Sequence, residues 1–203
     1  MLVWLKWLMH SKFYILHSSR GFSIIEISIA VIIISILSII IAKIFIAHSD
    51  LSSREQTSWE IQFNNSLAQT KIKDSILEAT KVMMTKTINA TSYTSGANTL
   101  ILELPSIDAA GDIISEKYDY TVFYLNPSDE TQLLTSLEAD GASSRTSSSD
   151  RTIAHFIAGI IFRYNAPQIK NTTLVSIFLK NSKTRGKLTQ NFSSTTSVRL
   201  YNK

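Results

Sequence analysis

An uninterrupted apolar run near the N-terminus constrains this chain more than any other part of its sequence. Residues 27–42 contain no charge and no helix breaker, and their only polar members are three serines. A serine hydroxyl can hydrogen-bond to a carbonyl of its own helix, so serines are tolerated in an apolar helix. As a helix, residues 22–47 would be about 39 Å long, and the hydrocarbon core of a bilayer is ~30 Å thick. We therefore predict a transmembrane helix over residues 22–47.

A single carboxylate interrupts the apolar character at the start of this helix. Glu26 lies four residues after Phe22, and the next charge is Lys43. A carboxylate at the centre of a membrane helix costs roughly 2.5–3.5 kcal/mol, and less near the membrane edge. Glu26 therefore either stays hydrated at the boundary or has a positively charged partner, as intramembrane acids usually do.

The segment before the helix has the composition of a targeting sequence. It is apolar and aromatic, with Lys6, Lys12 and Arg20 and no acid. A secretory signal peptide is the rival interpretation, but lysines split the apolar part and no small-residue cleavage site follows. Translation from Met9 would give a shorter leader. Because positive charge stays on the cytoplasmic side, the C-terminal bulk is expected outside the cytoplasm.

The residues around Gly21 resemble the type IV pilin family, which includes the pseudopilins of type II secretion. In that family a basic leader ends in glycine, and the mature chain begins with phenylalanine and has glutamate as its fifth residue. Gly21, Phe22 and Glu26 stand at these positions. The resemblance implies cleavage between Gly21 and Phe22 by prepilin peptidase and N-methylation of Phe22. It also implies pairing of Glu26 with the amino terminus of a neighbouring subunit.

Details of the match favour a minor subunit. Lys43 stands where many major pilins carry proline, and the chain has no cysteine to close a C-terminal loop. The order of the later segments resembles, in layout, the J-type minor pseudopilins and the PilW-like minor pilins.

The remaining chain is long enough for one globular head. Residues 48–92 lack proline and glycine, and Trp59, Phe63 and Leu67 are spaced by four. This pattern predicts an amphipathic helix that continues the membrane helix and packs on a sheet, with the three large side chains in the core.

After residue 98 the apolar period changes to two, which predicts a β-rich head over residues 93–203. Pro105 should end the first strand, and a mobile loop is expected over residues 138–150. The predicted strands span residues 99–104, 118–125, 132–137, 153–164, 174–180 and 195–201. The predicted fold class is therefore α+β and pilin-like, with a leader over residues 1–21 and a long helix, half transmembrane and half amphipathic, packed on an antiparallel sheet.

Charge is distributed unevenly along the chain. The net charge is +4, but the leader holds three of the basic residues, so 17 basic and 16 acidic residues follow it. Residues 100–150 carry ten acids, and residues 151–203 carry nine bases and no acid. Acidic and basic strands lying side by side would explain this, as would a basic face that meets an acidic face of the next subunit. Nucleic-acid binding, as in competence pili, is disfavoured because no aromatic residue interleaves the candidate phosphate contacts. Those candidates are Lys180, Lys183, Arg185 and Lys187.

No catalytic constellation, phosphate-binding loop or paired metal-ligand spacing occurs, so neither an enzyme nor a cofactor is expected. Asp140, Gly141 and Asp150 fit no calcium pattern, which favours a solvated loop. The expected function is structural: a subunit of a type IV pilus or type II secretion pseudopilus, in the bacterial inner membrane until assembly. Its partners would be sibling pilins and prepilin peptidase. A signal-anchored extracytoplasmic binding domain is the alternative.

Replacement of Gly21 by valine is expected to block removal of the leader, since the resemblance implies cleavage directly after this glycine. Mass spectrometry of the protein extracted from cells should find Phe22 at the N-terminus of the wild-type chain and the intact leader in Gly21→Val. A wild-type chain that keeps its first 21 residues would instead support the signal-anchored alternative.

Overall fold

Among the residues that the structure describes, one long helix is followed by ten antiparallel strands, so the predicted α+β, pilin-like layout is confirmed. The computed structural model describes residues 22–186 and 188–200; Gly21 and the leader lie outside the described residues. The chain divides into two compact units, Met1–Leu51 and Ser52–Lys203. The elements are α1 (Ile24–Glu78), β1 (Lys81–Val82), β2 (Thr85–Ile88), β3 (Thr91–Thr94), β4 (Thr99–Ile107), β5 (Ile113–Asn126), β6 (Asp129–Glu138), β7 (Ser148–Ala154), β8 (Ile157–Tyr164), a 3-10 turn (Ile169–Asn171), β9 (Leu174–Arg185) and β10 (Leu188–Arg199).

The first unit is apolar on every side of α1. Every described residue up to Leu51 is exposed, including isoleucines over half exposed. The most apolar window has a mean hydropathy of 3.0, and α1 is long and apolar enough to cross a membrane. Such a helix followed by a C-terminal β domain is consistent with membrane anchoring.

The second unit folds around the outer part of α1. Its main core joins α1 to the inner face of a five-stranded sheet and to a three-stranded sheet. The strand orders are β1-β4-β5-β6-β7 and β10-β9-β8, and every pairing is antiparallel. The β2–β3 hairpin covers the outer face of the five-stranded sheet around a second, smaller core.

The helix ends at Glu78, so the prediction of a helix over residues 48–92 is wrong beyond that point. The chain enters β1, which pairs with β4, and then forms the β2–β3 hairpin. Asn89 and Ala90 have φ of 47° and 65°, and positive φ at both central positions is the geometry of a two-residue type I′ hairpin turn. The flanking residues are rich in threonine, which favours strands, and this signal outweighs the absence of glycine.

The prediction that Trp59, Phe63 and Leu67 form the core is also wrong. Trp59 is 75% exposed and Phe63 is 63% exposed. The buried face is offset from them and contains two polar residues whose hydrogen bonds are satisfied within the protein. It consists of Thr57, Ile61, Asn65, Ala68, Ile72 and Ile76.

Two strand boundaries also differ from the prediction. The expected strand over residues 153–164 is two strands: β7 belongs to the five-stranded sheet and β8 to the other, and Phe156 between them has φ of 61°. Strand β4 continues through Pro105, because β1 pairs only with Glu103 and Leu102 and leaves no neighbour that needs a donor from the proline.

A polar seam fixes α1 to the three-stranded sheet. The buried Asn65 amide donates to Asn181 Oδ1 of β9 at 2.7 Å, and its Oδ1 accepts from Ser194 Oγ of β10. Gln69, one turn later, donates to Ser194 and accepts from Thr196 Oγ1 at 2.8 Å. Because buried amides need partners, this seam sets the register of the helix against the sheet.

Replacing both Trp59 and Phe63 by glutamine should change the unfolding free energy by no more than about 0.5 kcal/mol per site, because both side chains are exposed. Ile72→Ala in the core should cost about 2–5 kcal/mol. Denaturant unfolding of the full chain in detergent micelles measures both. If the glutamine variants instead lost as much unfolding free energy as Ile72→Ala, Trp59 and Phe63 would belong to the core, as the sequence predicted.

Candidate functional site

The first turn of α1 forms a capping box. Ser23 precedes the first helical residue, and its Oγ accepts from the Ile25 N–H at 3.3 Å. The Glu26 carboxylate folds back and accepts from the Ser23 N–H at 2.9 Å. A serine followed three residues later by glutamate is the usual sequence signature of this arrangement. Glu26 therefore caps its own helix by accepting a hydrogen bond from the Ser23 N–H. The Ser-x-x-Glu spacing shows this role in the sequence, but it was not among the sequence predictions.

The position of Glu26 is also electrostatically favourable. The N-terminus of a helix carries a partial positive charge, which attracts a carboxylate in the first turn. Glu26 is exposed and forms no ion pair within the part of the chain that is described. Its negative charge thus remains available in the first turn of the helix, four residues after Phe22.

Behind this tip, the helix offers a purely apolar surface. Ser28, Ser35 and Ser38 each donate a hydroxyl to the carbonyl four residues earlier, at 2.7–2.8 Å. The expectation that serines are satisfied internally is confirmed. No serine in this stretch has a hydroxyl proton left to donate to lipid or to a partner.

A buried carboxylate organises one end of the head. Asp119 is fully buried and pairs with Arg145 at 2.7 Å. Its two oxygens also accept from Ser106 Oγ, Ser143 Oγ and the Asp140 N–H at 2.7–2.8 Å. The stretch that the sequence predicted as a mobile loop is thereby bound to the sheet, and its last residues belong to β7.

The same arginine links this loop to α1, because its Nη2 lies 3.0 Å from Glu78 in the last turn. Burial alone would raise the pKa of Asp119. The Arg145 guanidinium, the Asp140 N–H and the two serine hydroxyls outweigh burial and hold the pKa below its ordinary value. Asp119 is therefore a structural carboxylate that stays ionised at neutral pH.

Other residues singled out in the sequence are not brought together. His48 and His155 are exposed, and no group of three or more potential ligands in the described residues is placed to hold a metal. Asp140 pairs with Lys117 at 3.5 Å, whereas Asp150 accepts from the Tyr124 hydroxyl. The two loop acids thus serve separate structural contacts.

Of the four candidate phosphate contacts, Lys187 lies outside the described residues. Lys183 pairs with Glu60 of α1, and Arg185 donates to Gln56 at 3.0 Å, so two candidate phosphate contacts bind the helix instead. Apart from β7, the basic C-terminal strands form their own sheet. Side-by-side pairing of acidic and basic strands, one of the explanations considered for the charge distribution, therefore does not apply to β8, β9 and β10.

Comparisons of the chain with family models, with curated proteins and with solved structures found no match. The site geometry therefore carries the functional argument.

Asp119→Asn should lower the unfolding free energy by about 3–5 kcal/mol at neutral pH, because it leaves the Arg145 charge without its partner. The lowered pKa makes the ionised form stabilising above the unfolded pKa of about 3.9, and that contribution is lost as the pH falls further. Denaturant unfolding at pH values above and below about 3.9 measures this effect. The unfolding free energy of the wild type should fall more steeply with decreasing pH than that of Asp119→Asn. Asp112→Asn, which changes an exposed carboxylate, is the control, and equal acid slopes in wild type and Asp119→Asn would contradict the assignment.

Proposed function

We propose that this chain is a minor pilin or a pseudopilin, a subunit of a type IV pilus or of a type II secretion pseudopilus. It would be held in the bacterial inner membrane by residues 22–47 until assembly, with its head outside the cytoplasm. The observation that carries the proposal is the sequence Gly21-Phe22 joined to Glu26 in the first turn of a helix that has no charge over residues 27–42. The helix-on-sheet head supports it, because that layout is the one expected for the family.

The geometry of the helix tip suggests how assembly uses Glu26. Cleavage after Gly21 would free the Phe22 amine beside the Ser23 N–H that Glu26 already binds. Each charge is costly when it is moved from water into an apolar environment by itself, whereas an ammonium and a carboxylate neutralise one another. A neighbouring subunit's amine can therefore bind Glu26 at the level where both helices leave water.

The exposed apolar surfaces supply the remaining attraction. When a subunit leaves the bilayer, the apolar face of α1 loses its lipid contacts and has to be covered by other helices. In the second unit, Trp59 and Phe63 are also exposed on α1. Large aromatic side chains exposed one turn apart are typical of surfaces that bind a protein partner. We assign them to contacts with sibling subunits.

Glu26→Gln separates the cap from the charge. Glutamine can still accept from the Ser23 N–H, so the capping box survives, but it cannot neutralise an ammonium. Processing should be unchanged, and incorporation into filaments should fall roughly a hundredfold, the factor that corresponds to about 3 kcal/mol. Glu26→Val removes both the cap and the charge, should be processed normally, and should assemble no better. Shearing of surface filaments followed by immunoblotting measures incorporation, and the N-terminal mass reports processing.

Glu55→Gln is the matched control, because it removes an exposed charge from the same helix. Normal assembly of Glu26→Gln together with impaired assembly of Glu26→Val would mean that Glu26 acts only as a helix cap. Normal assembly of both variants would remove the charge-pairing mechanism altogether.

A further inference from the structure

A groove with a volume of about 340 Å³ runs between one flank of α1 and the inner face of the five-stranded sheet. We call it the flank groove. Its floor is apolar and includes Leu67 of α1 together with Leu104, Phe123 and Leu137 of the sheet. The volume lies at the lower end of the range of about 300–1,000 Å³ found for small-molecule sites.

The sheet pairing places a cation beside this floor. Phe123 of β5 is opposite Thr135 of β6, and Thr135 is opposite Arg151 of β7. Residues directly opposite each other in neighbouring strands share a face of the sheet. The stem of Arg151 therefore extends from the same surface as the Phe123 ring. Lys71 lines the groove from the helix side.

The charges around the flank groove are unbalanced. Arg145 and Glu78 pair with each other, and Arg145 also binds Asp119. Lys71 and Arg151 are exposed and have no ion pair or side-chain hydrogen bond within residues 22–186 and 188–200. An apolar floor between two cations without partners is complementary to an anion that carries an apolar tail.

The size of the groove selects among such anions. The volume of about 340 Å³ is smaller than one turn of a helix about 10 Å across, but it is sufficient for a single methylene chain. A free phosphate would leave the apolar lining of the groove, including the partly exposed Leu67, in contact with water. The helix that can span a membrane gives the chain a source of amphiphiles.

We propose that the flank groove binds a single-chain anionic amphiphile of the fatty-acid class. The acyl chain lies over Leu104, Phe123 and Leu137, and the carboxylate is bound between Lys71 and Arg151. Thr135, which is paired with both Phe123 and Arg151, also lines the groove. The proposal depends on membrane anchoring and not on assembly into a filament.

Photolabelling of the full chain in lipid nanodiscs without detergent tests the proposal. The probe is a palmitate analogue with a photoreactive diazirine in its chain, followed by digestion and mass spectrometry. Adducts are expected on peptides that contain Leu137 and Ile153, and unlabelled palmitate should compete them away. A phospholipid with the same photoreactive chain and a fatty alcohol serve as the other arms. Labelling of the β-rich head by the fatty-acid probe alone identifies a free fatty acid as the ligand. Equal labelling of the β-rich head by all three probes overturns the charge argument.

Variants of the rim make the test specific. Lys71→Gln combined with Arg151→Gln should reduce head labelling about tenfold, since each cation contributes a charge-assisted bond. Labelling of residues 24–47 in the same molecules should not change and is an internal control. Lys73→Gln combined with Arg163→Gln removes two exposed charges outside the groove and should leave head labelling intact.

A variant that fills the groove gives an independent readout. Ser75→Trp adds a large side chain from the helix flank and should suppress head labelling while the unfolding midpoint stays near that of the wild type. Labelling confined to the apolar helix would overturn the proposal. Labelling of the β-rich head that unlabelled palmitate does not reduce, or that persists in both sets of groove variants, would also overturn it.

Discussion

The structure depends on one helix that meets two different environments. Up to Leu51 the helix has no buried side, and Ser28, Ser35 and Ser38 donate their hydroxyl protons to carbonyl groups of the same helix. Beyond that point only one stripe is buried, against two sheets. Apolar surface of the first kind is stable only away from water, whereas a one-sided stripe requires a folded head. The chain therefore needs both a lipid or helical environment and a complete β domain.

The sequence predicted the features that arise from local periodicity. The apolar helix, the change to a period of two and the antiparallel α+β class follow from side-chain alternation, and all three are present. The boundaries were predicted less well. The Asn89-Ala90 turn has no glycine, and the passage between sheets at Phe156 lies within one continuous apolar run. Neither feature changes the hydrophobic pattern that the prediction used.

The candidate site was predictable in part, for a related reason. The resemblance to type IV pilins singled out Phe22 and Glu26, and the Ser23–Glu26 cap could have been predicted from its own sequence signature. Asp119 could not, because its partners come from three separate segments and only the folded chain brings them together. The hydrophobic pattern also predicted burial of the wrong face of α1. The buried face includes Asn65, whose side chain hydrogen-bonds to β9 and β10.

The polar seam also determines when the head can finish folding. Asn65 and Ser194 are 129 residues apart in the chain, and β10 is the last strand that the structure describes. Contacts of such long range form slowly, since a large loop must close first. During translation the helix is made early and has to wait for the final strand before Asn65 acquires its hydroxyl partner. A chain that stops before β10 would leave that amide and the neighbouring core isoleucines exposed to chaperones and proteases.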